Sequence, residues 1–221
     1  MGKIDIKGYI VSNDDREFYD FYSMTCTYPK MVQDAITNDE DEEITLNIAS
    51  NGGDVFAASE IYTMLRDSGK RIVVNIQGLA ASAASVISMA GNTVRISPTA
   101  HIMIHKASSG FVGNSDDMEH QSVVLNSIDE SIALAYEMKT GLKQTELLDL
   151  MAKETWLNAK TAVDKGFADE IMFSDTEEQI MVTNAVHQMP SKSAINKFKN
   201  MIAKPKTNSL REQKLKILLE K

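Results

Sequence analysis

Three serines lie among residues with very small side chains in "GLAASAASVISMAG", which runs from Gly78 to Gly91. Acyl transfer by a serine needs a nucleophilic hydroxyl, a base within hydrogen-bond reach, an acid that orients the base, and backbone N–H donors for the oxyanion. Ser82 suits the nucleophile's place, because it is predicted to begin a helix directly after a strand. Ser85 and Ser88 follow on the same helix and are expected to pack inside. Taken alone, the stretch is equally typical of a small-residue helix packed on a sheet.

The glycine pair of "SNGGD" indicates a second turn that can face the first. It exposes the N–H of Gly53 without a side chain in the way, and the N–H of Ala83 would complete a two-donor oxyanion site. The surroundings of Ser82 are not the G-x-S-x-G elbow, because alanines occupy both glycine positions. "SNGGD" also lacks the lysine and spacing of a phosphate-binding loop, and no metal-ligand cluster is visible, so no cofactor or metal is expected.

Strands that alternate with helices must position these two turns, and they predict an α/β fold with a largely parallel sheet. Both turns follow the carboxyl ends of predicted strands, where open α/β sheets bind ligands. The predicted strands are "KIDIKGYIV", "ITLNIAS", "RIVVNIQ", two within "NTVRISPTAHIMIHKA", and "ADEIMF". "NDDREFYDFYSMTCTYPK" is predicted to be a loop, and helices are predicted over residues 29–37, 54–69, 78–91, 115–138, 145–152 and 159–165.

The longest predicted helix runs from Ser115 to Met138, with Ser115 as its N-cap and Gly141 beyond its end. It carries an apolar stripe at three- to four-residue spacing, which is typical of a helix that covers the domain core. The stripe consists of Leu125, Ile128, Ile132 and Tyr136.

The helix and strand pattern ends near residue 174, so the chain is divided into a domain over 1–176 and a basic tail over 177–221. Residues 192–221 carry nine Lys and Arg against two Glu, whereas residues 1–191 carry 14 basic and 29 acidic residues. The tail is either a solvated extension or a docking segment. An acidic body argues against nucleic-acid binding by the domain.

The composition also restricts the location of the protein. No run approaches the roughly 20 apolar residues that a membrane-spanning helix needs, and no signal-peptide core is present. Cys26 is the single cysteine, which suits a reducing compartment. A soluble, cytoplasmic protein without a membrane partner is therefore expected.

Four ordered segments resemble the motifs of the Clp protease proteolytic subunit family: "NIASNGGDVFAASEIYTML", "GLAASAAS", "HIMIHKASSG" and "ETWLNAKTAVDKGFADEI". The family pattern runs "N-S-P-G-G", "G-Q-A-A-S", "M-I-H-Q-P" and "F-L-S-A-x-E-A-x-x-x-G-L-x-D", and the resemblance covers residues 3–173. It implies the Clp/crotonase-like fold of repeated ββα units with a long handle helix. By this match Ser82 is the nucleophile, His105 the general base, and Gly53 and Ala83 the oxyanion donors. His101 is the nearest alternative base, since it lies on the same face of a strand.

The triad acid departs from the family pattern. The family carries Asp two residues before the aromatic of "F-L-S-A", and aligning Trp156 with that aromatic places Glu154 there. Glutamate has the same charge and one more methylene, and other serine hydrolases use it to orient the imidazole. Asp164 and Asp169 are the alternatives, on the following helix and strand.

Further features look like the phage and prophage members of the family, which are head-maturation (prohead) proteases. These features are Leu79 in place of Gln, the "ETW" segment, the basic tail, and the position of the first strand. The first strand begins at Lys3, whereas in the family an N-terminal segment before it forms axial loops that contact a ring ATPase. The resemblance implies an ATP-independent serine endopeptidase that processes capsid or scaffold proteins within a ring-shaped homo-oligomer. The alternatives are a Clp-type peptidase with an ATPase partner, a crotonase-type enzyme acting on acyl-CoA thioesters, and a catalytically silent scaffold component.

Overall fold

A computed structural model describes residues 2–174 of the chain, and the predicted basic tail over 177–221 lies outside the described residues. The predicted domain boundary therefore stays a prediction. The elements in chain order are β1 (Gly2–Ile10), α1 (Arg16–Phe21), β2 (Cys26–Thr27), α2 (Pro29–Asn38), β3 (Glu43–Gly53), α3 (Val55–Asp67), β4 (Arg71–Ala81), α4 (Ala83–Ser88), β5 (Thr93–Ile96), β6 (His101–Ile104), α5 (Ser115–Thr140), α6 (Gln144–Ala152), β7 (Thr155–Asn158), α7 (Ala159–Asp164) and β8 (Glu170–Ile171).

The predicted α/β class with a largely parallel sheet is confirmed. The main sheet has the order β2-β1-β3-β4-β5-β8 and all its neighbours are parallel, while β7 runs antiparallel to β6. Strand β4 changes partner along its length: Val73–Ile76 pair with β5, and Leu79–Ala81 pair with β6. The sheet therefore forks, and β6 and β7 form a two-stranded ribbon on the carboxyl half of β4.

The central strands are covered by helices and are consequently rich in buried β-branched residues. Helix α3 packs against α2 and α4, α4 contacts β3 and β4, and α6 packs on α5. Aliphatic side chains of neighbouring strands build the core beneath the site. Fully buried members include Ile6, Ile44, Leu46, Ile48, Ile72, Val74 and Ile76.

Two predictions about local structure near the chain start and at α5 are wrong. The predicted loop "NDDREFYDFYSMTCTYPK" contains α1 and β2. An Arg16–Asp20 pair four residues apart (2.9 Å) and a tilted contact between the Phe18 and Tyr22 rings (centroids 4.7 Å apart) stabilise the short helix. The N-cap of α5 is Asn114 rather than Ser115. Its Oδ1 accepts the N–H groups of residues 116 and 117 at 2.9 and 3.1 Å in a capping box.

The bounds of two further elements also differ from prediction. Strand β4 continues to Ala81, and α4 begins only at Ala83, because the last residues of β4 pair with β6. The last strand, predicted over "ADEIMF", is limited to Glu170–Ile171, where it meets β5. Over residues 2–174, no helix combines the length and apolar character that crossing a membrane requires.

Candidate active site

Ser82 occupies a tight turn between β4 and α4, with φ 53° and ψ −125°. A positive φ at a residue with a side chain is strained and persists only where its surroundings hold it. Ser82 N–H donates to the carbonyl of Met103 on β6 at 2.9 Å, which fastens the turn to the ribbon. On the other side lies Gly52, where an added Cβ would stand 2.7 Å from the Cβ of Ser82. The absence of a side chain at Gly52 therefore makes this close approach of the two turns possible.

His105 directly follows β6 and reaches the nucleophile turn. Its Nε2 lies 2.7 Å from the Oγ of Ser82, and both residues are half-buried. When Nε2 accepts the serine proton, Nδ1 carries the other ring hydrogen and faces away from Ser82. The alternative base, His101, is exposed at the start of β6 and makes no hydrogen bond to Ser82 in the described part of the chain. The structure therefore brings together Ser82 and His105, and not His101.

The loop after His105 is anchored by a buried carboxylate that the sequence analysis missed. Asp129 on α5 is only 3% exposed, and its Oδ1 accepts the N–H of Ala107 at 2.7 Å. Its other oxygen lies 3.6 Å from the ammonium of Lys106. The signal was available, because an Asp at position 129 interrupts the apolar stripe of α5. A charge at such a position is buried only with partners.

A cavity of about 410 Å³ opens beside Ser82. One wall comes from the apolar stripe of α5, so the stripe both covers the core through Tyr136 and faces the candidate site through its earlier residues. A volume of this size suits a few peptide side chains. The residues that line it include Gly53, Phe56, Ser82, Ala83, His105, Leu125, Ile128, Ile132 and Tyr136.

The two predicted oxyanion donors both lie at this cavity. Gly53 ends β3 with φ 155°, and an added Cβ there would stand 2.0 Å from the carbonyl oxygen of Ile10. Ala83 is the first residue of α4, whose first-turn N–H groups have no acceptor within the helix. Ser50 supports the glycine turn, since its Oγ accepts the N–H of Gly52 at 3.0 Å and donates to the carbonyl of Gly8 at 2.6 Å.

Glu154 lies next to the strand pair that positions His105 and makes its hydrogen bond to another residue. The antiparallel register pairs Ile104 with Thr155, which sets Glu154 across from His105 at the next position. Glu154 is exposed, has φ 49°, and its Oε1 accepts the indole N–H of Trp156 at 3.2 Å. Within residues 2–174, no hydrogen bond or ion pair joins its carboxylate to the His105 ring. The assignment of Glu154 as the acid therefore stays a prediction.

The two alternative acids belong to other parts of the fold. Asp169 accepts the N–H of Val94 at 2.6 Å and the ammonium of Lys139 at 2.7 Å, which ties β5 to α5. Asp164 is the last residue of α7. Of the three candidate acids, Glu154 is therefore the one that the register of β6 and β7 places across from His105.

A parallel α/β sheet that presents a serine–histidine pair beside two backbone turns defines a class of serine peptidase folds, and comparisons with known proteins identify the family. The Clp protease family model matches residues 30–175. The "ATP-dependent Clp protease proteolytic subunit" of Deinococcus radiodurans is 30% identical over 141 residues, which cover 63% of this chain and 69% of the relative. The "proteolytic subunit 2" of Tropheryma whipplei is 28% identical over 136 residues, covering 61% and 76%. The chain belongs to the Clp protease family, a family of serine peptidases.

Proposed function

We propose that this protein is a serine endopeptidase with Ser82 as nucleophile, His105 as general base and Glu154 as the orienting acid. The observation that carries the proposal is the 2.7 Å contact between His105 Nε2 and Ser82 Oγ at the edge of the cavity. A base within this distance of a hydroxyl is positioned to remove its proton as the hydroxyl attacks.

The reaction follows from this geometry in two halves. Ser82 Oγ forms a bond to the carbonyl carbon of the scissile peptide while its proton moves to His105 Nε2. The N–H groups of Gly53 and Ala83 stabilise the negative oxygen of the tetrahedral intermediate. The C–N bond then breaks, and His105 returns the proton to the leaving amine. A water molecule, deprotonated by the same nitrogen, then adds to the acyl carbon. The bond from this carbon to Ser82 Oγ breaks, His105 returns the proton to Oγ, and the acyl group leaves as a carboxylic acid.

Glu154 is proposed to stabilise the imidazolium that forms in each half. Its position supports this role, because the register of β6 and β7 places it across from His105. In this role the carboxylate leaves the Trp156 indole and accepts the N–H of Nδ1 of His105. An ionised carboxylate there orients the ring and favours its charged form without taking the proton.

Protein chains are the proposed substrates, and a ring-shaped homo-oligomer is the proposed working form. Its support lies in the large apolar side chains that α3 and α5 expose on the single chain, which are Phe56, Val123, Leu134 and Met138. Surfaces of this kind are typical of faces that pack against another subunit.

The narrower proposal is an ATP-independent head-maturation protease that processes capsid or scaffold proteins. It is supported by the resemblance of Leu79 and the "ETW" segment to phage and prophage members. A second candidate is a peptidase that works with an ATPase partner, and the relatives favour it because both are named "ATP-dependent" proteolytic subunits.

A fluorophosphonate probe tests the chemistry. Ser82 Oγ would attack phosphorus, fluoride would leave, and the serine proton would pass to His105. We expect mass spectrometry to find the adduct on Ser82 in the wild type, and to find none in Ser82→Ala or His105→Ala. Ser88→Ala and His101→Ala are the matched controls and should label as the wild type does. If the protein assembles into an oligomer but carries no adduct, the proposed chemistry is wrong and the catalytically silent scaffold is the remaining alternative.

A degradation assay separates the two candidates. The purified chain is incubated with an unfolded protein, with and without a Clp-type ATPase and ATP. Cleavage without the ATPase supports the head-maturation proposal. Cleavage of short peptides alone, extended to proteins only when ATPase and ATP are added, supports the second candidate.

A further inference from the structure

Tyr136 connects the long helix α5 to the helix that follows Ser82. Its side chain is only 1% exposed and packs on Phe167 with ring centroids 5.5 Å apart. The hydroxyl lies 2.7 Å from Ser85 Oγ, a residue that is itself fully buried. A buried tyrosine hydroxyl needs such a partner, and here the partner lies one turn after the candidate nucleophile.

The direction of this hydrogen bond follows from counting protons. Ser85 Oγ also lies 2.6 Å from the carbonyl oxygen of Ser82, and that oxygen can only accept. A serine hydroxyl has one hydrogen, so Ser85 donates it to the Ser82 carbonyl and accepts the hydrogen of Tyr136. Burial raises the pKa of Tyr136, and the phenol therefore stays protonated and remains a donor.

The carbonyl that ends this chain belongs to the same peptide group as the N–H of Ala83. A peptide group is planar and rigid, with C=O and N–H pointing in opposite directions. The Ser82 carbonyl also accepts the backbone N–H groups of Ser85 at 2.9 Å and Val86 at 3.4 Å, so the first turn of α4 and the Ser85 hydroxyl hold it together. Because the peptide group is rigid, the direction of this carbonyl sets that of the N–H of Ala83, a residue that lines the cavity. A donor on the carbonyl also polarises the group, because hydrogen bonds in a chain strengthen one another.

We infer that Tyr136 and Ser85 are positioning residues for the oxyanion site, acting as a chain of donors from Tyr136 through Ser85 and the Ser82 carbonyl to the N–H of Ala83. This inference rests on the proposed function, in which Ala83 stabilises the oxyanion. Neither side chain contacts the substrate's reacting atoms. Their effect falls on the transition state, since the oxygen carries its full charge only there.

The test compares Tyr136→Phe, Ser85→Ala and their double variant by kcat and KM on a fluorogenic peptide, together with thermal unfolding. We expect Tyr136→Phe to lower kcat about fivefold and Ser85→Ala about tenfold, with KM within about twofold of the wild type. The double variant should have the kcat of Ser85→Ala, because Tyr136 acts only through Ser85.

Thermal stability provides the readout that a merely structural role would not reproduce. Ser85→Ala leaves the Tyr136 hydroxyl buried without a partner, and the double variant removes that hydroxyl. We therefore expect the double variant to regain Tm relative to Ser85→Ala while its kcat stays low. Ser88→Ala is the matched control, because it removes a buried 2.6 Å hydrogen bond of the same helix, to the Ser85 carbonyl, outside the chain of donors.

Two results overturn the inference and are distinct from failure of the proposed function. A Ser88→Ala variant that loses kcat as much as Ser85→Ala would reduce the effect to helix stability. A double variant that regains kcat together with Tm would also reduce the effect to helix stability. If the wild type itself neither cleaves peptide nor labels at Ser82, the proposed function fails first, and the inference with it.

Discussion

Replacing Gly52 by alanine tests how far the position of Ser82, the proposed nucleophile, depends on the turn beside it. The added Cβ would stand 2.6 Å from the carbonyl oxygen of Ala81 and 2.7 Å from the Cβ of Ser82. Restoring an ordinary contact of 3.4 Å moves the Ser82 turn by about 0.7 Å. Misplacement on the order of 1 Å costs about a hundredfold in rate, so a shift of about 0.7 Å should slow labelling of Ser82 by the fluorophosphonate about 25-fold.

Gly69→Ala is the matched control for this substitution. Gly69 also has a positive φ, 68° against 93° at Gly52, but an added Cβ there meets nothing within 4 Å. Both variants carry the conformational cost of about 1–2 kcal/mol for a left-handed residue with a side chain. Gly52→Ala adds an overpacking cost of about 1–3 kcal/mol. Gly69→Ala should therefore lose a few degrees of Tm, about 3 °C, and keep the wild-type labelling rate.

The comparison has a clear refuting result. If Gly52→Ala loses stability but labels Ser82 as fast as Gly69→Ala does, the geometry of the nucleophile turn does not depend on its glycine neighbour. The argument that the close approach of the two turns sets the site would then be wrong.

Three further predictions concern the acid, the buried tyrosine and the loop anchor. Glu154→Gln should lower kcat about a hundredfold, which is less than the loss expected when the nucleophile is removed. Glu154→Asp should retain most activity. Equal kcat for Glu154→Gln and the wild type in the peptide assay would remove Glu154 from the triad. Above about pH 10, the free energy of unfolding of the wild type should fall relative to that of Tyr136→Phe. Burial raises the pKa of Tyr136, so at this pH only the unfolded chain releases the phenolic proton. Paired thermal scans from about pH 8 to 11 measure this, and a constant difference would contradict it. Asp129→Ala should lower the free energy of unfolding by about 2 kcal/mol, because the N–H of Ala107 loses its acceptor. Asp129→Asn keeps an acceptor oxygen and should lose less than half of that. Equal losses for the two variants in denaturant unfolding would contradict this explanation.

The fold class was predictable because its signals are local. Each central strand is a short run of β-branched residues, and each following helix begins at a turn, so alternation along the chain indicates the parallel sheet. Errors arose where two local signals compete. Asn114 and Ser115 are adjacent and both suit an N-cap, and only the observed backbone selects Asn114.

The site was less predictable, because its contacts join distant parts of the chain. Ser82 and His105 meet only since β6 pairs with the end of β4, and no local pattern reports that pairing, so the family resemblance carried the prediction. The contact of Ser85 with Tyr136 spans 51 residues and was missed for the same reason. For Glu154 the register was predictable from the motif, but the orientation of a long, exposed side chain was not.

The fork in the sheet places the residues of the candidate site at the ends of different strands. Gly53 ends β3, and Ser82 and Ala83 directly follow β4, so these residues are held by the main sheet. His105 directly follows β6 and Glu154 directly precedes β7, so these two flank the ribbon. The ribbon is joined to β4 by three residue pairs, at Leu79–Ala81, and by the Ser82–Met103 hydrogen bond. Because Glu154 is exposed and precedes β7, a substitution there leaves the buried side chains of the ribbon, Ile102, Ile104 and Leu157, in place. The proposed acid can therefore vary in evolution while the Ser82 turn and the core beneath it are retained.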